Sequence, residues 1–141
     1  IPDAILKKPG PLTGAERAEM ERHTVLGEAL LSSAAFFDTA RLIARAHHEN
    51  FDGTGYPDRR RGDDIPLAAR IVRIADVFDA LTSNRVYKDA WPMEEALAQI
   101  RAGAGQAFDP ELVELFIDLV TRGVVGPGSG DQAGLAAFSN E

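Results

Sequence analysis

The sequence predicts an all-α domain. Apolar residues recur at helical spacing in successive segments, and recognisable start signals precede those segments. No run alternates apolar and polar residues strongly enough to argue a sheet. With 141 residues, 45% of them hydrophobic, the chain is long enough for one domain with its own core.

Lys7-Lys8-Pro9-Gly10-Pro11 is a turn, after which Thr13 caps a helix and Glu16 completes a capping box. Met20, His23, Leu26, Leu30 and Leu31 follow at helical spacing and predict an inward face. A second helix follows Asp38 and runs through Leu42, Ile43 and Ala46 to His47 and His48. A polar loop from about Asn50 to Ile65 holds Gly53, Gly55, Pro57 and Gly62. Loops of that length inside a compact domain are uncommon and often functional. Pro66 opens a third helix with the apolar stripe Leu67, Ile71, Ile74, Phe78 and Leu81.

Trp91-Pro92 marks a break, and a helix runs from about Met93 to Ala102. Asp109 caps the last helix, with Pro110 at its first position and Gly123 near its end. Leu112, Leu115, Phe116, Leu119 and Val120 predict its buried face. Residues 1–123 are thus expected to form the domain, and residues 124–141, rich in Gly, Ser and Ala, a flexible tail.

Composition narrows the chemistry. The net charge is −7 and the pI near 4.9, with no broad basic face, so duplex nucleic acid is not an expected partner. An anionic ligand would need local cations or metal. There is no cysteine, which excludes disulfides, thiolate metal sites and cysteine nucleophiles. Any metal must therefore sit on histidine and carboxylate. No run approaches the roughly 20 apolar residues of a membrane span. The first residues carry neither an initiator Met nor a signal-peptide pattern, and are expected to lie inside a longer protein.

The stretch His47-His48-Glu49-Asn50-Phe51-Asp52-Gly53-Thr54-Gly55-Tyr56-Pro57 holds two of the three histidines in the chain, beside an acid and a glycine-punctuated turn. That composition suits a metal-dependent hydrolase. Adjacent helical residues point about 100° apart, so both histidines can ligate only if the site lies between their directions or if two different metals are bound. Asp76 sits in the mostly apolar segment from Ala69 to Leu81 and is expected to face inward. A buried carboxylate must be paired, hydrogen-bonded or metal-bound, and Arg70 and Arg73 are the nearby partners. His23 alone on an apolar face is an ordinary core histidine.

The segment from His47 to Pro57 resembles the HHExxDGxGYP signature of the HD-GYP family, a branch of the HD superfamily of metal-dependent phosphohydrolases. The likeness continues through Gly62-x-x-Ile65-Pro66-x-x-Ala69-Arg70-Ile71 and Asp76-x-x-Asp79-Ala80-Leu81. It extends to Arg85-Val86-Tyr87-Lys88 and Phe108-Asp109-Pro110-Glu111, covering roughly residues 1 to 120. The resemblance implies an HD-superfamily helical bundle that hydrolyses cyclic di-GMP to linear pGpG and, after a second cut, GMP. It implies two or three divalent metal ions, most often iron or manganese, with a metal-activated water as nucleophile and no assigned catalytic side chain.

Carried over residue by residue, the resemblance makes His23, His47, His48 and Asp76 metal ligands. Thr24 stands where the family usually has proline. Arg85 and Lys88 match a phosphate-binding pair, and Tyr56 lies at the substrate mouth. Glu49, Asp52, Gly53, Gly55, Pro57 and Asp79 are expected to shape the loop or orient ligands from behind. Arg59, Arg60 and Arg61 are expected to be a solvated stretch of that loop. The family's HD motif is expected upstream of Ile1, so the isolated chain should be weakly active or inactive. The parent protein is expected to be cytoplasmic, with a regulatory domain and a homodimeric state. The rival reading is a non-catalytic HD-GYP sensor or interaction module, and a third is an HD-type hydrolase of another nucleotide.

Overall fold

The computed structural model describes residues 1–33, 35–84 and 90–126. Among them are six α-helices: α1 (Asp3–Leu6), α2 (Gly14–Leu31), α3 (Asp38–Ala46), α4 (Leu67–Thr82), α5 (Met93–Ala102) and α6 (Pro110–Thr121). No strand occurs among the described residues, where β-pairing is limited to an isolated bridge between Ala104 and Phe108. The all-α expectation therefore holds.

The start signals act as the sequence predicts. Thr13 Oγ1 accepts the Glu16 N–H at 3.3 Å, and the Glu16 carboxylate accepts the Thr13 N–H at 2.7 Å, so two orphan donors are satisfied reciprocally. Asp109 Oδ1 accepts the Glu111 N–H at 3.0 Å, and Pro110 follows at the first helical position. Gly123 sits just past α6 with φ +71°, a conformation that glycine adopts without strain. Pro66 precedes α4 as its cap. α1 was not anticipated: four residues are too few to carry a periodicity.

The main core lies where α4, α5 and α6 meet. Ile74, Phe78 and Leu81 from α4 pack with Ala96 and Ile100 from α5, with Phe108, and with Val113, Ile117 and Val120 from α6. A smaller cluster of Ala46, Ile65 and Ala69 seats the long loop against α3 and α4.

Three predicted faces need correction. On α2, Leu26 is exposed and Leu30 is 81% exposed, because α2 packs on α3 through a narrow seam instead of a broad stripe. On α4, Leu67 and Ile71 are exposed while Ala69 is buried. On α6 the buried residues are Val113, Ile117 and Val120, and Leu115 is exposed. α6 is apolar on most of its circumference, so periodicity alone could not choose the inward side. Ile71, Ile74, Leu112, Leu115, Phe116 and Leu119 instead line an apolar groove of about 200 Å³ between α4 and α6. Of the expected tail, only residues 124–126 are described, and all three are exposed.

Candidate metal centre

A small-residue seam builds the site. A Cβ placed on Gly27 of α2 would lie 3.4 Å from the Ala44 Cβ of α3, so the two helices approach closely there. His23 is one turn before Gly27, and His47 directly follows the last residue of α3. The seam therefore sets His23 Nε2 3.4 Å from His47 Nε2. His48 lies beyond the end of α3, so its direction is no longer fixed by the helical rotation. Its ring centroid is 4.2 Å from that of His47 and 5.0 Å from that of His23. One ligand nitrogen from each of the three half-buried histidines falls within 4.8 Å of the others.

The tautomers are set by neighbouring carbonyls. His23 Nδ1 donates to Met20 O at 2.7 Å, and His47 Nδ1 donates to Ile43 O and Ala44 O, both at 3.0 Å. A carbonyl can only accept, so each Nδ1 carries a proton, and in the neutral imidazoles Nε2 is the atom left with a lone pair. The two Nε2 atoms face each other across 3.4 Å, where they would hold a divalent ion. Backbone carbonyls that fix the far nitrogen are the usual support for metal-binding histidines. The donor set of three neutral imidazoles, with no thiolate, fits a divalent transition metal.

Burial, followed by the neighbouring His47, pushes the His48 imidazole down to about 4 from its ordinary 6.5. His48 is thus neutral in the folded protein where the unfolded chain would already take up a proton. Between those values the unfolded state binds more protons, so stability rises with pH. The contribution is complete above about pH 6.5 and is lost as pH falls toward 4. Denaturant titrations of chelator-treated protein should show a loss of about 2 kcal/mol over that interval, discounted for partial exposure. His48→Gln should flatten the dependence. An unchanged slope in the variant would remove His48 as its source.

The long loop closes one side of the trio. Tyr56 donates its N–H to His48 O at 3.2 Å, and its ring lies 5.0 Å from the His48 ring at 30°. Burial is the main cause that raises the Tyr56 hydroxyl above its ordinary value, so the phenol stays protonated at neutral pH. The Tyr56-Pro57 peptide is cis. Gly55 has no room for a side chain against the backbone of His48, Glu49 and Asn50. Gly53 adopts φ +83°, and Asp52 Oδ1 accepts both the N–H and the hydroxyl of Thr54, at 3.0 and 2.6 Å.

Glu49 is only 2% exposed. Its carboxylate accepts the Asp58 N–H at 2.7 Å and the Arg60 N–H at 3.1 Å, so it pins the far limb of the loop and makes no bond to a histidine. Glu49→Ala should cost about 3 kcal/mol, because two backbone donors of the loop lose a buried, charged acceptor. Thermal melting checks this, and a melting temperature equal to wild type would exclude the clamp. A second clamp comes from α3. Arg45 holds Asp58 through Nε and Nη2, both at 2.7 Å, and its Nη1 reaches Glu28 of α2. The Arg45 guanidinium in turn lowers the Asp58 carboxyl.

Asp76 requires a correction. It is exposed, whereas Ile74 and Phe78 are buried. Residues 74 and 78 share a face one turn apart, and a residue midway between them is rotated about 200° from Ile74. Asp76 stands outside the three-histidine group, although its charge acts on His48. The two suggested arginine partners are engaged elsewhere. Arg70 Nη1 pairs with Asp63 at 2.9 Å and Asp109 at 2.7 Å, while Arg73 Nη2 donates to Asn50 Oδ1 at 3.0 Å.

Asp79 is exposed and accepts the Ser83 hydroxyl at 3.0 Å, a contact at the end of α4 and not at the histidines. Thr24, at the position where proline was expected, is buried within α2 and donates its hydroxyl to Glu21 O at 2.9 Å. Arg85 and Lys88 lie outside the described residues. Arg45 and the Gly27–Ala44 seam were not singled out from the sequence. An arginine inside the apolar run of α4 was visible there as a cost, but only Asp76 was treated as one.

Comparison with known proteins places this geometry. The HD-domain family matches residues 1–112. A cyclic di-GMP phosphodiesterase response regulator of Xanthomonas campestris pv. campestris is 51% identical over 119 residues, which is 83% of this chain and 32% of that protein. A 3'3'-cGAMP-specific phosphodiesterase of Vibrio cholerae is 48% identical over 120 residues, covering 84% of this chain and 23% of that protein. A crystal structure of a cyclic GMP-AMP-specific phosphodiesterase of V. cholerae superposes with a TM-score of 0.58 at 25% identity, covering 84% of this chain and 31% of that one. The chain thus spans a third or less of the length of these relatives. No described helix is long and apolar enough to cross a membrane. With a helical bundle, clustered histidines and a Gly-Tyr-Pro loop against them, this chain belongs to the HD-domain family, in its HD-GYP branch.

Proposed function

We propose that this chain is part of a metal-dependent phosphodiesterase that hydrolyses cyclic di-GMP to pGpG and then GMP. The observation that carries the reading is the facing pair of Nε2 atoms on His23 and His47, whose Nδ1 atoms are committed to carbonyls, joined by His48. The substrate assignment follows relatives named as cyclic di-GMP phosphodiesterases, among them those at 51%, 45% and 43% identity. In this reading residues 1–123 form the incomplete HD-GYP domain and residues 124–141 a linker or tail.

His23, His47 and His48 would hold divalent metal, with iron or manganese and two or three ions as the expected complement. Bound metal supplies Lewis acidity toward a phosphoryl oxygen and an activated water. The protein's part is to keep Nδ1 of His23 and His47 committed to carbonyls, so that Nε2 remains a donor to metal. Tyr56 flanks His48, where its protonated hydroxyl can meet a phosphate or ribose oxygen. Asp76, whose charge acts on His48, would add a carboxylate ligand from α4. Arg85 and Lys88 would neutralise charge developing on the phosphate.

The test is manganese- or iron-supplemented hydrolysis of cyclic di-GMP by this chain and by a longer form carrying an upstream HD motif. Activity in the longer form, with little in the short one, is the expected result. Activity in neither would overturn the enzyme reading in favour of a sensory module. Competition with other cyclic dinucleotides in the same assay tests the substrate.

A further inference from the structure

A second cavity, of about 380 Å³, opens where the loop after the histidines meets α4 and α5. Arg73, Asn50 and Asp52 line it together with Gln99 and Ala102, and Val77 and Phe108 add apolar surface. Its volume is that of a small-molecule site. It is also close to the metal centre. Asn50 is two residues beyond His48, and Arg73 is three residues before Asp76, about 4.5 Å along α4.

Arg73 is the unusual member. It is half-buried, yet it forms no ion pair with any described residue. One terminal nitrogen is committed to Asn50, and its buried Nε has no hydrogen-bond partner. Arg70, one turn earlier, answers its charge with two carboxylates. Asp76 acts on the charge of Arg73, but no described carboxylate is in contact with it, and acceptors on a bound ligand would offset the cost of holding an arginine half out of water.

Resting on the phosphodiesterase reading, we propose that this cavity takes a guanine base of the dinucleotide, with Arg73 reading its O6/N7 edge. Guanine presents two adjacent acceptors to a guanidinium fork, and its N1–H and N2–H donors suit a carboxylate such as Asp52. The presence of Asp52 in the lining disfavours a phosphate there. Adenine would set an amino group where the fork requires an acceptor. Val77 and Phe108 give the base an apolar contact. The cavity therefore discriminates between purines, while the histidines act on the phosphodiester.

Calorimetric affinities for cyclic di-GMP and cyclic di-AMP, measured on the manganese-loaded full-length protein, test the assignment. Wild type should prefer the guanine ligand. Arg73→Gln should reduce that preference about 10- to 100-fold. Arg73→Lys should reduce it similarly, because lysine keeps the charge and loses the fork. Ala102→Trp, placed on an exposed wall away from Arg73, should weaken both ligands at least about tenfold by filling the cavity. No guanine preference in wild type, an unchanged preference in both Arg73 variants, or wild-type binding by Ala102→Trp would each overturn the proposal. Turnover in the same preparations keeps the two readings apart. Hydrolysis with unchanged preference removes only the guanine pocket, and preference lost without any hydrolysis removes only the phosphodiesterase.

Discussion

Replacing His47 with alanine is expected to lower manganese affinity by about 100-fold or more and, if the phosphodiesterase reading holds, to reduce cyclic di-GMP hydrolysis by the longer form to background. Loss of a group that merely supports a metal ligand already costs about 10- to 100-fold. His47 is more central than that. Its Nε2 faces His23 at 3.4 Å, its ring lies 4.2 Å from His48, and its Nδ1 is anchored by two carbonyls. The same substitution should leave the metal-free fold nearly intact. His47 caps the end of α3 and is only half-buried, outside both core clusters. Metal content by mass spectrometry, read beside the melting curve of chelator-treated protein, separates the two effects. Wild-type metal content in the variant would sink the three-histidine centre.

Gly55→Ala should be the most damaging single change in the loop, at about 3 kcal/mol or more. Its Cβ would lie 2.3 Å from Asn50 N, 2.5 Å from Glu49 Cα and 2.5 Å from His48 O. All three are backbone atoms, so no side chain can swing aside. The segment that must move carries His48 and the buried Glu49 clamp, so metal binding should fall together with stability. Gly53→Ala offers a contrast. It has room, with nothing nearer than 3.5 Å, and the cost there is a φ of +83°, worth about 1 to 2 kcal/mol. Equilibrium unfolding of both variants checks the order. A Gly55→Ala protein as stable as wild type would show that the loop does not press on the histidine segment as described.

Much of the helical scaffold was legible because its signals are local. The Thr13–Glu16 box, Pro66, the Met93–Ala102 helix and the Asp109-Pro110 start depend on residues within one turn of each other. The faces were less legible. α2, α4 and α6 each carry more apolar residues than the described structure buries, and only packing partners decide which ones go inside. Asp76 illustrates the error: apolar neighbours at 74 and 78 suggested burial, but a helix turns a residue between them outward.

By itself, the sequence determined the helical class, the glycine-punctuated loop and the identity of the histidines, because residue type and short spacing are enough for these. Only the tertiary structure decided how those groups meet. The 24-position separation of His23 and His47 is closed by the Gly27–Ala44 contact, whose partners lie on different helices. The orientation of the histidines comes from carbonyls at the ends of helical turns, and the loop's position comes from Glu49 and Arg45 reaching across it. Likewise, Arg73 is one more charged residue in a helix until folding leaves it half-buried beside a cavity and hydrogen-bonded to Asn50. Periodicity describes one element at a time, whereas metal coordination and desolvation depend on distances between elements.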